Sequence, residues 1–179
     1  MKKIITLSLK AILIIALTLT SCGGGVKGGN KGSTDIYVAG YEYNGTKRVA
    51  KYWKNGQAVA LTDETQFSYA NSIYVSGNDV YVAGCEFSGT KDVAKYWKNG
   101  KPVELTDGKH HAEANSIYVS GNDIYVAGYE LKGANHVAKY WKNGRAIELT
   151  DGKQDAVANS IYVLGNDIYV AGYEGKKAK

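Results

Sequence analysis

The chain has 179 residues, long enough to bury a sizeable core, and 44% of them are hydrophobic, with 15 tyrosines but a single proline. Its 22 Lys and Arg against 17 Asp and Glu give a formal charge of +5. Much of the excess sits in lysines near the two ends, so no basic stripe remains that would suit nucleic acid. Two cysteines, Cys22 and Cys85, exclude a disulfide-stapled scaffold.

Met1-Lys2-Lys3 opens a basic region that runs to Lys10, Ala11–Thr20 is an apolar core, and Leu19-Thr20-Ser21-Cys22 follows at once. That core is too short to span a bilayer as a helix, so residues 1–21 read as a secretory signal peptide. The tetrad resembles the lipobox of bacterial lipoproteins. The resemblance implies cleavage before Cys22, a thioether-linked diacylglycerol on its sulfur, and a membrane partner held through that lipid anchor, where several acyl chains hold firmly and one alone would be marginal. Loss of residues 1–21 removes three lysines and no acid, which leaves 19 basic against 17 acidic side chains and a net charge of about +2. In enterobacterial lipoproteins an aspartate directly after the lipidated cysteine retains the product at the inner membrane. Gly23 stands there instead, so the expected location is the outer membrane, facing either the periplasm or the surface. Residues 22–34, with GGGVKGGNKGST after the cysteine, have no apolar periodicity and read as a flexible tether.

From Asp35 onward the text repeats every 44 residues: DIYVAGYE at Asp35, DVYVAGCE at Asp79, DIYVAGYE at Asp123 and DIYVAGYE at Asp167. The domain 35–179 thus holds units 35–78, 79–122 and 123–166 and a partial unit 167–174, copies of one supersecondary element. Within the first unit, strands are predicted at Ile36–Glu42 (a), Val49–Lys54 (b), Gln57–Thr62 (c) and Ser72–Ser76 (d), each rich in Val, Ile, Tyr or Trp and bounded by turn residues. Asn55-Gly56, Asn99-Gly100 and Asn143-Gly144 fit two-residue hairpins whose central residues both need positive φ. Gly77-Asn78, Gly121-Asn122 and Gly165-Asn166 mark a second tight turn, from d to the next a. Those turns predict antiparallel sheets ordered d-a-b-c. Pro102 in strand c agrees, since proline is tolerated mainly on edge strands. Cys85 takes the slot that Tyr41, Tyr129 and Tyr173 fill in other units and reads as drift, not as a redox or metal site.

Strand a carries apolar groups on both faces, so each sheet must be packed on both faces. Radially stacked four-stranded sheets of this repeat length follow the β-propeller pattern. The units resemble the tandem YVAGYE/YWKNG repeats of propeller-type bacterial lipoproteins over Asp35–Glu174. That resemblance implies an all-β, propeller-like fold, an extracytoplasmic location and a binding role with no defined reaction. Three units and one strand fall short of a closed ring, which leaves an open arc, a shortened copy, or self-association that completes the ring. A β-trefoil, also built from three four-stranded repeats, is the rival fold.

The strand directions place the constant turns on one rim and the divergent a–b and c–d loops on the other. Loops on a rigid scaffold are the usual place for recognition, so the candidate ligand-binding residues are Tyr43, Phe67, Tyr69, Phe87, His110, His111, His136 and Asp155. His110, His111 and Glu113 lack a third His or Cys at short spacing, so no metal or other cofactor is expected. Asp63, Asp107 and Asp151 are expected to cap the turn after strand c. Glu42, Glu86, Glu130 and Glu174 recur identically, which argues against a glycosidase pair held in two distinct environments, and no catalytic residue is assigned. Tyr52-Trp53, Tyr96-Trp97 and Tyr140-Trp141 are expected to pack between sheets, with sugar stacking as their functional alternative. The expected function is a non-enzymatic, lipid-anchored envelope protein that binds a protein or glycan through the loop rim. A propeller-type envelope hydrolase and a structural envelope lipoprotein without a specific ligand are the alternatives.

Overall fold

A computed structural model describes residues 34–175. The signal peptide, Cys22 and the tether up to residue 33 lie outside the described residues. The described chain forms thirteen strands and no helix: β1 (Tyr37–Tyr43), β2 (Arg48–Lys54), β3 (Gln57–Ala60), β4 (Ser68–Ser76), β5 (Asp79–Phe87), β6 (Asp92–Lys98), β7 (Lys101–Glu104), β8 (Ala112–Ser120), β9 (Asp123–Lys132), β10 (Asn135–Lys142), β11 (Arg145–Glu148), β12 (Ala156–Leu164) and β13 (Asp167–Glu174). All pairings are antiparallel. Two four-stranded sheets, β4-β5-β6-β7 and β8-β9-β10-β11, show the d-a-b-c order. Before them stands the three-stranded β1-β2-β3, and after them the two-stranded β12-β13. No closed barrel, which a β-trefoil requires, is present among the described residues.

Local chemistry explains the turns. Asn55 and Gly56 have φ of 52° and 83°, and their equivalents at Asn99 and Asn143 repeat the pattern, as a type I′ hairpin demands. The asparagine does more than tolerate that conformation. Asn55 accepts the Ile36 N–H through Oδ1 at 2.9 Å and donates through Nδ2 to Asp35 at 2.7 Å, while Lys54 bridges Asp35 at 2.9 Å. Asn99 with Asp79, and Asn143 with Asp123, form the same clamp. Asp63, Asp107 and Asp151 accept the backbone N–H two residues on, at 3.0, 3.1 and 3.0 Å, and so cap the turn after strand c. Strand d begins at Ser68 rather than Ser72, and strand c ends at Ala60 rather than Thr62. The cause of the first difference is a β-bulge between Ala70 and Ser72 that interrupts the alternation; it recurs between Ala114 and Ser116 and between Ala158 and Ser160.

Each sheet packs its front on the back of the next. The front of β4–β7 presents Tyr81, Ala83, Ala94, Tyr96 and Leu105, and it meets Ala112, Ala114, Ile117, Val119, Val126 and Trp141 from the back of β8–β11. Equivalent residues make the two flanking interfaces, with Trp97 seated against the first sheet. Trp97 and Trp141 are 1% and 0% exposed, which settles both as packing residues and removes them as sugar-stacking platforms. Their volume fills the gap between sheets, as large rings do.

The d strands also touch one another. Asn71, on the bulge, donates to the Ala114 carbonyl at 3.1 Å, and Ser72 accepts the Ile117 N–H at 3.2 Å; Asn115 and Ser116 repeat both bonds to Ala158 and Ile161. Tyr74, Tyr118 and Tyr162 run alongside with ring centroids 4.9 and 5.1 Å apart. Strands c stay exposed along their length on the opposite side, with Pro102 on the edge strand β7.

Candidate functional site

The antiparallel order places the a–b and c–d loops together, and four aligned positions of each unit meet at that rim. The first set is Tyr41, Arg48, Phe67 and Tyr69, the second Cys85, Asp92, His111 and Glu113, the third Tyr129, His136, Asp155 and Val157. Each set is delivered by the end of strand a, the start of strand b and the entry into strand d, so the scaffold is constant while the chemistry changes.

In the first set Tyr41 and Tyr69 pack edge to face at 5.4 Å. The Arg48 guanidinium lies 5.6 and 5.8 Å from their ring centroids and donates to the Tyr69 hydroxyl at 2.9 Å. Tyr43 and Phe67 are exposed beside them. The result is a surface aromatic cluster with one cation, a combination that offers ring faces for stacking and a planar donor fork.

The second set is acidic. Glu113 on β8 faces Cys85 and Asp92 of the preceding sheet and stands opposite Tyr129 on β9. Burial, followed by the Asp92 carboxylate, pushes the Glu113 carboxyl above its usual range, while Tyr129, Cys85 and His136 pull the other way. Burial, then Glu113 and Asp92, push the Cys85 thiol well above its normal value, so this fully enclosed group is no thiolate nucleophile. His111 Nδ1 lies 3.0 Å from Asp92 Oδ2 and 3.2 Å from the Asp92 backbone nitrogen.

The third set pairs His136 with Asp155. The Asp155 Oδ1 accepts the His136 backbone N–H at 3.0 Å and faces its Nδ1 at 2.7 Å. The backbone bond leads in holding the Asp155 carboxyl below its usual range, with the ring contributing. Tyr129 meets the His136 ring edge to face at 4.5 Å.

Of the residues expected at the rim, the structure joins Tyr69, His111, His136 and Asp155 into these contacts. Tyr43, Phe67 and His110 are exposed, and Phe87 ends β5 half-buried, with its N–H bonded to the Phe67 carbonyl at 2.8 Å. Tyr43, Tyr69, Phe87 and His136 sit on strands rather than in loops. Tyr41, Arg48, Asp92, Glu113 and Tyr129 belong to the site as well; aligning the units column by column exposes them, because these columns change chemistry from copy to copy. Among the described residues no group of three or more His, Cys, Asp or Glu is placed to hold a metal ion, and no helix is long and apolar enough to cross a membrane.

Beneath the rim runs a constant layer. Lys95 reaches Glu86 at 2.7 Å and Lys139 reaches Glu130 at 2.6 Å, both lysines being buried, and Lys51 with Glu42 is the more exposed copy at 2.9 Å. This layer accounts for Glu42, Glu86 and Glu130 as structural pairs. Comparison of the chain with protein-family models found no match, and comparison with curated proteins found none either.

Proposed function

We propose that the chain is a non-enzymatic, lipid-anchored envelope protein of propeller-type architecture that binds a glycan or protein through its divergent rim. The observation that carries the reading is the contrast within one scaffold: identical turns and clamps on one rim, three chemically different side-chain sets on the other. The convergence of strands d, with strands c on the opposite side, supports a radial arrangement of sheets. The Tyr41, Tyr69 and Arg48 cluster favours a sugar-bearing ligand, since stacking on ring faces and guanidinium hydrogen bonds suit polyhydroxylated rings. Anchorage through Cys22 would place this rim in the envelope, on the outer membrane.

One observation favours the hydrolase alternative. Glu113 is shifted upward by burial and then by the like charge of Asp92, so one unit holds a carboxyl pair in an asymmetric setting. Incubation of the full chain with glycan arrays and intact envelopes separates the two. Saturable binding that falls at least tenfold in Arg48→Ala and Tyr69→Ala supports the binding module. Release of soluble oligosaccharide, abolished by Glu113→Gln, would replace it with the hydrolase, and no binding to either would leave a structural role.

A further inference from the structure

The two end sheets carry unmatched halves of the interface that the inner sheets make with one another. At the far end, the pocket that should receive a tryptophan is open. Trp97 packs among Ala50, Leu61, Ala70 and Val82, and Trp141 among Ala94, Leu105, Ala114 and Val126. The third equivalent of that socket, lined by Ala138, Leu149, Ala158, Val170, Gly172 and Tyr173 among others, is an open cavity of about 280 Å³ that no tryptophan fills, and Leu149 is 44% exposed where Leu105 is 9%. At the near end, Trp53 is the tryptophan without a socket: it is only half-buried, on the unpacked back of β1–β3 beside the exposed Ile36.

Hydrogen-bonding groups show the same asymmetry. Asn159 and Ser160 on β12 are exposed and make no side-chain bond among the described residues, although Asn71, Ser72, Asn115 and Ser116 all bond to the next strand d. Among the described residues, β4 is the one strand d that receives no such bonds. Gly40 completes the pattern. A Cβ at Gly84, Gly128 or Gly172 would lie 1.9 to 2.0 Å from the backbone carbonyl of the bulged strand d paired with it, so glycine is mandatory there. At Gly40 only the Trp53 ring is near, at 3.2 Å. The inner edge of β1 is thus shaped for a bulged strand d, and none of the described residues supplies one.

We propose that two copies of this chain associate head to tail, with β12 of each copy pairing with β1 of the other. Residues 35–42 and 167–174 share one sequence, DIYVAGYE, so β1 of the second copy can take the place of β13 on β12 with the same register and the same side chains. The Asn55 and Lys54 clamp ties β1 to its own sheet, and the matching Asp167 has no clamp among the described residues, so β13 is the strand that leaves. The ladder β12–β13 becomes β12–β1, and the ladder β1–β2 is kept. The β12–β13 pairing is exchanged one for one while Trp53 enters the socket of Ala138, Leu149 and Ala158, whose β13 wall of Val170 and Gly172 is replaced by Val38 and Gly40 of the copy that brings Trp53. Asn159 and Ser160 gain the Ala70 carbonyl and the Ile73 N–H of the second copy. Each junction restores a four-stranded sheet, so every copy contributes three complete sheets and two copies close six, within the range of ring-shaped propellers. A heterologous contact of this kind closes into a ring when its rotation permits.

Sedimentation of the full chain in mild detergent tests the proposal. The expected mass is that of two chains, dissociating on dilution. Gly40→Ala is expected to raise the dissociation constant at least tenfold while its melting temperature at high dilution stays close to that of the parent. Trp53→Ala, which removes a central aromatic anchor, is expected to raise it about 30-fold or more. The register places Tyr162 opposite Tyr37 of the second copy, as Tyr118 stands opposite Tyr125, so the double variant Tyr162→Cys with Tyr37→Cys should form disulfide-linked pairs. A single-chain mass at every concentration with the fold intact would overturn the proposal. So would a two-chain species that neither variant weakens and that the cysteine pair does not cross-link. Concentration-dependent growth beyond two chains would reject the closed pair, and capture of a different envelope protein by an otherwise single-chain species would assign the open edge to that protein instead.

Discussion

Gly84 lies against the Tyr69 backbone so closely that a Cβ would sit 1.9 Å from its carbonyl oxygen, a distance no rotamer change can relieve. The bulge at Asn71 pushes that carbonyl toward β5, and strand a answers with glycine in every unit. Gly84→Ala is therefore expected to destabilise the domain by roughly 3 kcal/mol, at the upper end of overpacking costs. Gly40→Ala should cost less than about 1 kcal/mol in the dissociated chain, because its neighbour is a mobile ring edge. Urea unfolding of the two variants checks the difference.

Glu64 is a residue out of place. It has φ of 65°, whereas Gly108 and Gly152 hold the equivalent position at 73° and 77°. Its contact with Lys51 at 3.5 Å is a loose, partly exposed ion pair worth a few tenths of a kcal/mol at most. Relief of the left-handed strain outweighs that loss and the extra unfolded-state entropy of glycine, so Glu64→Gly should stabilise the fold by about 1 kcal/mol. A rise in the urea midpoint without a change in slope is the expected signature.

The Glu113 carboxyl is raised in the folded state, so the folded chain holds its proton more tightly than the unfolded chain does. Its contribution is fully favourable below the ordinary carboxylate range and is lost as pH rises through the folded value. Glu113→Gln keeps a neutral group at every pH. The variant should gain melting temperature relative to the parent at pH 8 and show little difference at pH 4, which paired calorimetric scans would reveal.

The lysine layer should respond according to burial. Glu86→Gln leaves the Lys95 ammonium, 8% exposed, with only Glu104 at 3.9 Å, and should cost about 2 to 3 kcal/mol. Glu42→Gln breaks a pair whose carboxylate is 57% exposed, and should cost under about 1 kcal/mol. Adding Lys95→Met to Glu86→Gln should recover part of the loss, since the stranded charge is then gone. Chemical denaturation of the single and double variants measures the coupling.

The d-a-b-c order is legible in the sequence because two tight turns per unit admit one hairpin path, and Pro102 marks the outer edge. The start of strand d is not, since Asn71 sits on a bulge and the alternation that announces a strand fails there. The rim is legible from strand direction, but loop divergence alone leads past Arg48, Asp92 and Glu113. These residues lie at strand ends, where the apolar pattern still dominates the eye. Glu113 and Asp92 belong to one 44-residue unit but to two neighbouring sheets, because strand d pairs with strand a of the next unit, so a reading that treats each unit as one sheet does not bring them together.

The stitches from Asn71 and Asn115 to the carbonyls of Ala114 and Ala158 bind each unit to its neighbour by the same two atoms on each side. A gene built this way can lose or gain one 44-residue unit by recombination between its near-identical copies without creating a junction the protein has not already solved. Chain length thus becomes a heritable variable that moves in whole sheets, and the circumference of any assembly would change in steps while its local packing stays the same.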